Sequence, residues 1–94
     1  MKTINYLPNT LKEKLLNRNL TIGSWITIPS TEVIEILSTA GFEWLVIDLE
    51  HTSITLSEAK TLIQAIQANG MCALVRVSSN NETEIKKVLD IGAN

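Results

Sequence analysis

Along the chain, apolar residues recur at helical spacing in some stretches and in short near-continuous runs in others, and the two patterns alternate. Thr10-Leu11-Lys12-Glu13 reads as a capping box, with Leu11 and Leu15 on one face of a short amphipathic helix ending near Arg18. Thr21 to Thr27 is rich in β-branched and aromatic residues and stops at Pro29-Ser30, which predicts a first strand ending in a turn. Ser30 is placed to cap a helix with the stripe Val33, Ile36, Leu37 and Ala40, and Gly41 stands where a left-handed C-cap belongs. Phe42 to Ile47 is almost unbroken apolar sequence, as expected of a strand covered on both faces. A second capping box, Thr55-Leu56-Ser57-Glu58, opens a helix with Ala59, Leu62, Ile63 and Ile66 on one face, closed by Asn69-Gly70. Met71 to Val75 predicts a third buried strand. Ser79-Asn80-Asn81-Glu82 predicts a further capping box, followed by the stripe Ile85, Val88 and Leu89 and a stop at Gly92.

Strand followed by helix, three times over, predicts an α/β protein with a parallel sheet and right-handed crossovers. Trp25 and Asp48 are 23 residues apart, and Asp48 and Arg76 are 28 apart. That rhythm is close to the roughly 30 residues per unit of a TIM-type β/α barrel. The expectation is the amino-terminal part of such a barrel, with 1–94 a truncated part of a single domain. Residues 1–19 form a leading helix and linker, residues 20–94 form three β/α units, and the next buried strand follows Asn94. A doubly wound open sheet also accommodates three units. It requires a Gly-rich phosphate turn after the first strand, where Thr27-Ile28-Pro29-Ser30 has no glycine, so the barrel is favoured. Trp44, Val46, Leu74 and Val75 then lie where barrel closure buries them, and the isolated segment is expected to associate or fluctuate rather than persist as a compact monomer.

Composition narrows the functional classes. Hydrophobic residues make up 45% of the chain, and eight Lys and Arg against ten Asp and Glu leave a net charge of −2. That balance describes a globular domain and argues against a basic nucleic-acid binder. The apolar runs fall far short of the ~20 residues of a membrane span, and no signal-peptide core follows Met1-Lys2. The single cysteine, Cys72, sits inside an apolar strand and reads as a core residue rather than a nucleophile. With no disulfide to form, a cytoplasmic location is the default.

In a parallel barrel the reacting groups lie at the carboxyl ends of the strands. Asp48-Leu49-Glu50-His51 follows the second strand and Arg76 the third, so a carboxylate, an imidazole and a guanidinium on neighbouring strands can converge on a small anionic substrate. Histidine moves protons near neutral pH, and arginine holds a carboxylate or developing enolate by paired hydrogen bonds. The plainer alternative is that Asp48 caps its own loop and forms an ion pair with Arg76. Taken together, and with His51 the only histidine, the three favour function. No lysine stands at a strand end, which argues against Schiff-base chemistry. Lys86 and Lys87 read as solvated helix residues, and Trp25 reads first as a core aromatic. Asp90, in the last turn before Gly92, faces the negative end of the helix dipole at a cost of ~0.3–1 kcal/mol. Exposed acids at helix ends are common, and the residue by itself reads as structural.

Ile22-Gly23-Ser24-Trp25, then Ala40 through His51, then Val75-Arg76-Val77, then Leu89-Asp90-Ile91-Gly92-Ala93, stand in the order and spacing of the HpcH/HpaI aldolase family. The chain resembles the amino-terminal third of that family from about Leu20 to Asn94. The resemblance implies a β/α barrel and a lyase of the metal-dependent, class II type. Such an enzyme cleaves or forms carbon–carbon bonds in 4-hydroxy-2-oxo acids, with pyruvate as one product or donor and an aldehyde as the other partner. Residue by residue it implies that His51 transfers the proton, Arg76 anchors the pyruvyl group and its enolate, and Asp48 supports the arrangement around His51. It makes Trp25 a wall of the substrate pocket and Asp90 a residue reaching a neighbouring subunit's site, with Glu50 in a supporting place. A divalent ion of the Mg, Mn or Co class is implied as cofactor, with its ligands beyond Asn94 and none within these residues, so residues 1–94 are expected to be inactive alone. A homo-oligomer acting on small molecules, with neither nucleic acid nor membrane as partner, is implied for the full-length enzyme. Leu49 and Val77-Ser78 depart from the small residue and the proline of many relatives, which bears on substrate identity. The alternative from another class is a non-catalytic interaction domain on a barrel-derived scaffold.

Overall fold

The computed structural model describes the backbone from residue 6 and side chains from residue 11, both through residue 94. Helix α1 (Tyr6–Leu16) is followed by β1 (Gly23–Ile26), α2 (Thr31–Ser38), β2 (Trp44–Asp48), α3 (Leu56–Ala68), β3 (Cys72–Arg76) and α4 (Glu82–Asp90). The strands form one parallel sheet in the order β1-β2-β3. Trp25 pairs with Val46, Val46 with Leu74, and Asp48 with Arg76.

Because strand side chains alternate, this register sorts them onto two faces. Ile26, Leu45, Ile47 and Ala73 face the helices, where they form the core with Ile34 of α2 and with Ala59, Leu62, Ile63 and Ile66 of α3. Each fully buried Ile or Leu there stabilises the fold by roughly 1.5–3 kcal/mol. Trp25, Trp44, Val46 and Leu74 lie on the opposite face, the side that a barrel turns inward. Val75 corrects the expectation that grouped it with them: its parity is opposite to that of Leu74 and Arg76, and it packs against the helix-covered core.

Local signals set most of the element ends. In α3 the Thr55 hydroxyl accepts from the Glu58 backbone N–H at 3.1 Å, while the Thr55 N–H donates to the Glu58 carboxylate at 2.9 Å, so the capping box is complete. We expect Thr55→Ala to lower stability by about 1 kcal/mol, read as a fall in the denaturant midpoint at unchanged m-value. In α2, Ser30 caps through Val33 N–H as expected, but the buried side is different. Ile34 is fully buried with Val33 and Leu37 beside it, whereas Ile36 is 69% exposed and Ala40 lies beyond the helix. Apolar residues surround so much of this short helix that packing, rather than pattern, selects its inner side.

Two other starts also differ from expectation. Helix α1 begins at Tyr6, so Thr10 lies within it instead of capping it, and Leu15 is exposed. Its end is a left-handed Arg18, with Asn19 N–H closing back onto the Lys14 carbonyl at 2.8 Å. Helix α4 is capped by Asn81, two residues after the expected Ser79. The sequence offers Glu three residues after either one, and the Glu84 carboxylate instead ties down the Ser78 and Ser79 amides and the Ser78 hydroxyl. Those bonds, the Ser78 hydroxyl first, hold the Glu84 pKa below its ordinary value against the opposing effect of burial. Val88 is buried in this helix, but Leu89 is exposed.

At the amino ends of the strands, the Lys14 ammonium of α1 pairs with Glu43, which holds that carboxyl below its ordinary pKa. Beyond α4 the chain returns along β3: Asn94 N–H donates to the Ala73 carbonyl at 2.8 Å, and Ala73 N–H to the Asn94 side chain at 2.9 Å.

Candidate active site

The parallel register brings the carboxyl ends of β2 and β3 side by side, with Asp48 directly opposite Arg76. Asp48 is the one buried charged residue among those described, at 3% exposure, and its carboxylate is fully engaged. Oδ1 accepts from Arg76 Nε at 3.1 Å, Glu50 N–H at 2.9 Å and His51 N–H at 3.1 Å, while Oδ2 accepts from Arg76 Nη2 at 2.8 Å. One carboxylate thus fixes both the guanidinium and the turn that carries Glu50 and His51. The Arg76 guanidinium, by its hydrogen bonds, holds the Asp48 carboxyl far below the usual carboxylate range against the opposing effect of burial. The same pairing raises Arg76 above its ordinary value. The clasp is therefore intact throughout the neutral range and opens only as strong acid protonates Asp48.

Around this pair the other expected residues fall into place unequally. The Trp25 ring lies beneath Arg76, 4.5 Å from the guanidinium carbon to the ring centroid, and remains 47% exposed, so it is not a core aromatic. Glu50 Oε1 lies 3.5 Å from Arg76 Nε and 3.4 Å from His51 Nε2, within reach of both cations when the imidazole is protonated. The His51 side chain is 67% exposed and open to solvent at the strand ends. Asp90 is not part of this cluster. It is exposed at the end of α4, which has run back to the amino ends of the strands where Asn94 meets Ala73. Leu49 turns away from the cluster and packs on the core.

The structure also adds what the sequence reading missed. The Thr52 hydroxyl donates to the Asp48 carbonyl and accepts from Ile54 N–H at 3.2 Å, spanning the turn that holds His51. Its signal was a hydroxyl four residues after an aspartate at a strand end. Arg76 has two edges in different environments: Nε and Nη2 meet Asp48, while Nη1 has no hydrogen-bond partner among the described residues. Cys72 is buried, its thiol pKa pushed up by desolvation, in keeping with a core role. Lys86 is a solvated residue bridging to Glu82 at 3.0 Å. A surface depression of about 500 Å³ between α3 and α4, lined by Leu56, Ser79, Asn81 and Glu84 among others, lies apart from this cluster.

Among the described residues no three His, Cys, Asp or Glu side chains are placed to hold a metal ion. The donor chemistry agrees, since both Asp48 oxygens are committed to the Arg76 guanidinium and to backbone N–H groups. These residues do not fit a metal site. No helix among those described is long and apolar enough to cross a membrane.

The sequence profile of the HpcH/HpaI aldolase/citrate lyase family matches residues 21–94. The chain belongs to that family. The 2-dehydro-3,6-dideoxy-6-sulfogluconate aldolase of Pseudomonas putida is 35% identical over 79 residues, which cover 84% of this chain and 31% of that protein. Among solved structures, the citrate synthase SbnG is 36% identical with a TM-score of 0.81, over 88% of this chain and 34% of that one. An HpcH/HpaI aldolase from Desulfitobacterium hafniense DCB-2 is 27% identical with a TM-score of 0.79, over 88% of this chain and 32% of that one. The chain spans about a third of the length of these relatives. The parallel sheet and its helices match the amino-terminal part of the family's barrel. The site cluster lies within the matched residues.

Proposed function

We propose that residues 1–94 supply the proton-transfer and anion-holding part of a pyruvate-type aldolase acting on 4-hydroxy-2-oxo acids. The observation that carries this reading is the divided Arg76 guanidinium. Asp48 holds one edge and Trp25 supports the plane, which leaves Nη1 without a hydrogen-bond partner among the described residues, and the exposed His51 imidazole stands at the same strand ends. In the cleavage direction the substrate loses its C4 hydroxyl proton, the C3–C4 bond breaks to release an aldehyde, and the bonding pair passes into the enolate of pyruvate. Arg76 stabilises the developing oxyanion through its unpaired Nη1–H groups. His51 relays the hydroxyl proton and Glu50 steadies the imidazolium, after which protonation of the enolate at C3 completes pyruvate. Trp25 forms one wall of the substrate pocket, and Asp90 serves a neighbouring copy's site in a homo-oligomer. The divalent ion implied by the family resemblance would be held by carboxylates outside these residues.

The test is pyruvate release by the whole protein from a panel of 4-hydroxy-2-oxo acids, followed by a coupled dehydrogenase, with each divalent ion added in turn. Release above the metal-only blank is the expected result, with residues 1–94 alone giving none. Failure on every substrate and ion would return Asp48 and Arg76 to a structural ion pair on an interaction scaffold.

A further inference from the structure

We infer that Thr52 is a positioning residue for His51, an assignment that rests on the proton-transfer role proposed above. His51 sits in a turn pinned from both directions. On one side its own N–H and that of Glu50 are bound by the Asp48 carboxylate, at 3.1 and 2.9 Å. On the other side, the Thr52 hydroxyl donates to the Asp48 main-chain carbonyl and accepts from Ile54 N–H. Ile54 is itself buried in the core, so the chain of bonds from Ile54 through Thr52 to Asp48 ties the turn to the rigid part of the fold. Hydrogen bonds in such a chain polarise one another, and Thr52 is the member that both donates and accepts.

This bridge matters because the His51 side chain has little packing of its own. It is 67% exposed, and its side-chain contact with Glu50 is ionic only when the imidazole is protonated. Its direction is therefore set by the backbone at residues 48–52, which two separate hydrogen-bond systems fix. Thr52 makes no hydrogen bond to the Arg76 guanidinium among the described residues. Removing its hydroxyl should leave anion binding intact and misplace the proton-transfer group.

The test uses the whole protein. Thr52→Val keeps the branched shape and removes the hydroxyl, and Thr52→Ala provides a second hydroxyl-free variant. Thr52→Ser keeps the hydroxyl and removes the methyl. Misplacing a reacting group by a fraction of an ångström to one ångström costs about ten- to a hundredfold. We expect kcat to fall by that order in the two hydroxyl-free variants, with KM for the oxo acid nearly unchanged and Thr52→Ser close to wild type. The imidazole resonances of His51, assigned by their loss in His51→Gln, should shift and broaden in the hydroxyl-free variants alone. Unchanged kcat and unchanged resonances in Thr52→Val would overturn the proposal. So would Thr52→Ser losing as much as Thr52→Val, because packing of the methyl would then be the cause. Should the wild-type protein release no pyruvate at all, the aldolase reading fails separately, and the His51 resonances still decide whether Thr52 orients that side chain.

Discussion

Arg76→Lys in the whole protein should lower kcat/KM for a 4-hydroxy-2-oxo acid by about 10²–10³, the loss typical of one oriented oxyanion-stabilising donor. The proposed role explains why keeping the charge would not be enough. On the proposed function, Arg76 would serve two tasks with two edges of one rigid plane: Nε and Nη2 clasp Asp48 at 3.1 and 2.8 Å, and Nη1, which has no hydrogen-bond partner among the described residues, would meet the substrate oxygen. A lysine ammonium is a single point of charge on a flexible stem, and it can satisfy Asp48 or reach a substrate oxygen, but not both in fixed geometry. Asp48 would keep a cationic partner and its two backbone donors, so the circular dichroism spectrum should match wild type. Kinetics near wild type for Arg76→Lys would show that the Nη1 edge does not meet the substrate.

Gly23→Ala should destabilise the protein by about 3 kcal/mol, at the upper end of the usual overpacking range. A Cβ at residue 23 would stand 1.9 Å from Cδ2 of the Trp44 ring and 2.1 Å from Cε3, so the indole has to move. The two residues are register partners on β1 and β2, and the Trp44 ring is anchored by its Nε1–H donating to the Thr21 hydroxyl at 3.3 Å. Displacing the ring disturbs the inward face of the sheet as well as that bond. Gly70→Ala is the informative comparison. Gly70 has φ of +82° and open space around its Cα, so alanine there meets only backbone strain, about 1–2 kcal/mol. Thermal melts of both variants separate the two causes: Gly23→Ala should fall further and also alter tryptophan fluorescence. An unchanged melt for Gly23→Ala would mean that the ring has room to step aside.

The sequence carried the element order and the helix-facing core of α3 without ambiguity. Thr55 and Glu58 are adjacent enough to form their capping box whatever else the chain does, and Ala59, Leu62, Ile63 and Ile66 fall on one side of any helix built there. The clustering at the candidate site was legible for a similar reason: Asp48 and Arg76 are charges that interrupt apolar strands at their ends, and a parallel sheet places such ends together. Two alternatives of equal local merit were a different matter. Both Ser79 and Asn81 precede a glutamate by three residues, and both Ile34 and Ile36 could face inward from α2. In each case the loop and sheet geometry made the choice, burying Ile34, exposing Ile36 and using Asn81. The same holds within the site. Sequence names the groups, but only their register reveals that Asp48 occupies one edge of Arg76 and that Trp25 supports its plane. Spacing along one element follows from chain geometry, whereas contacts between β1, β2 and β3 depend on how separate elements pack, and that is decided by the whole core at once.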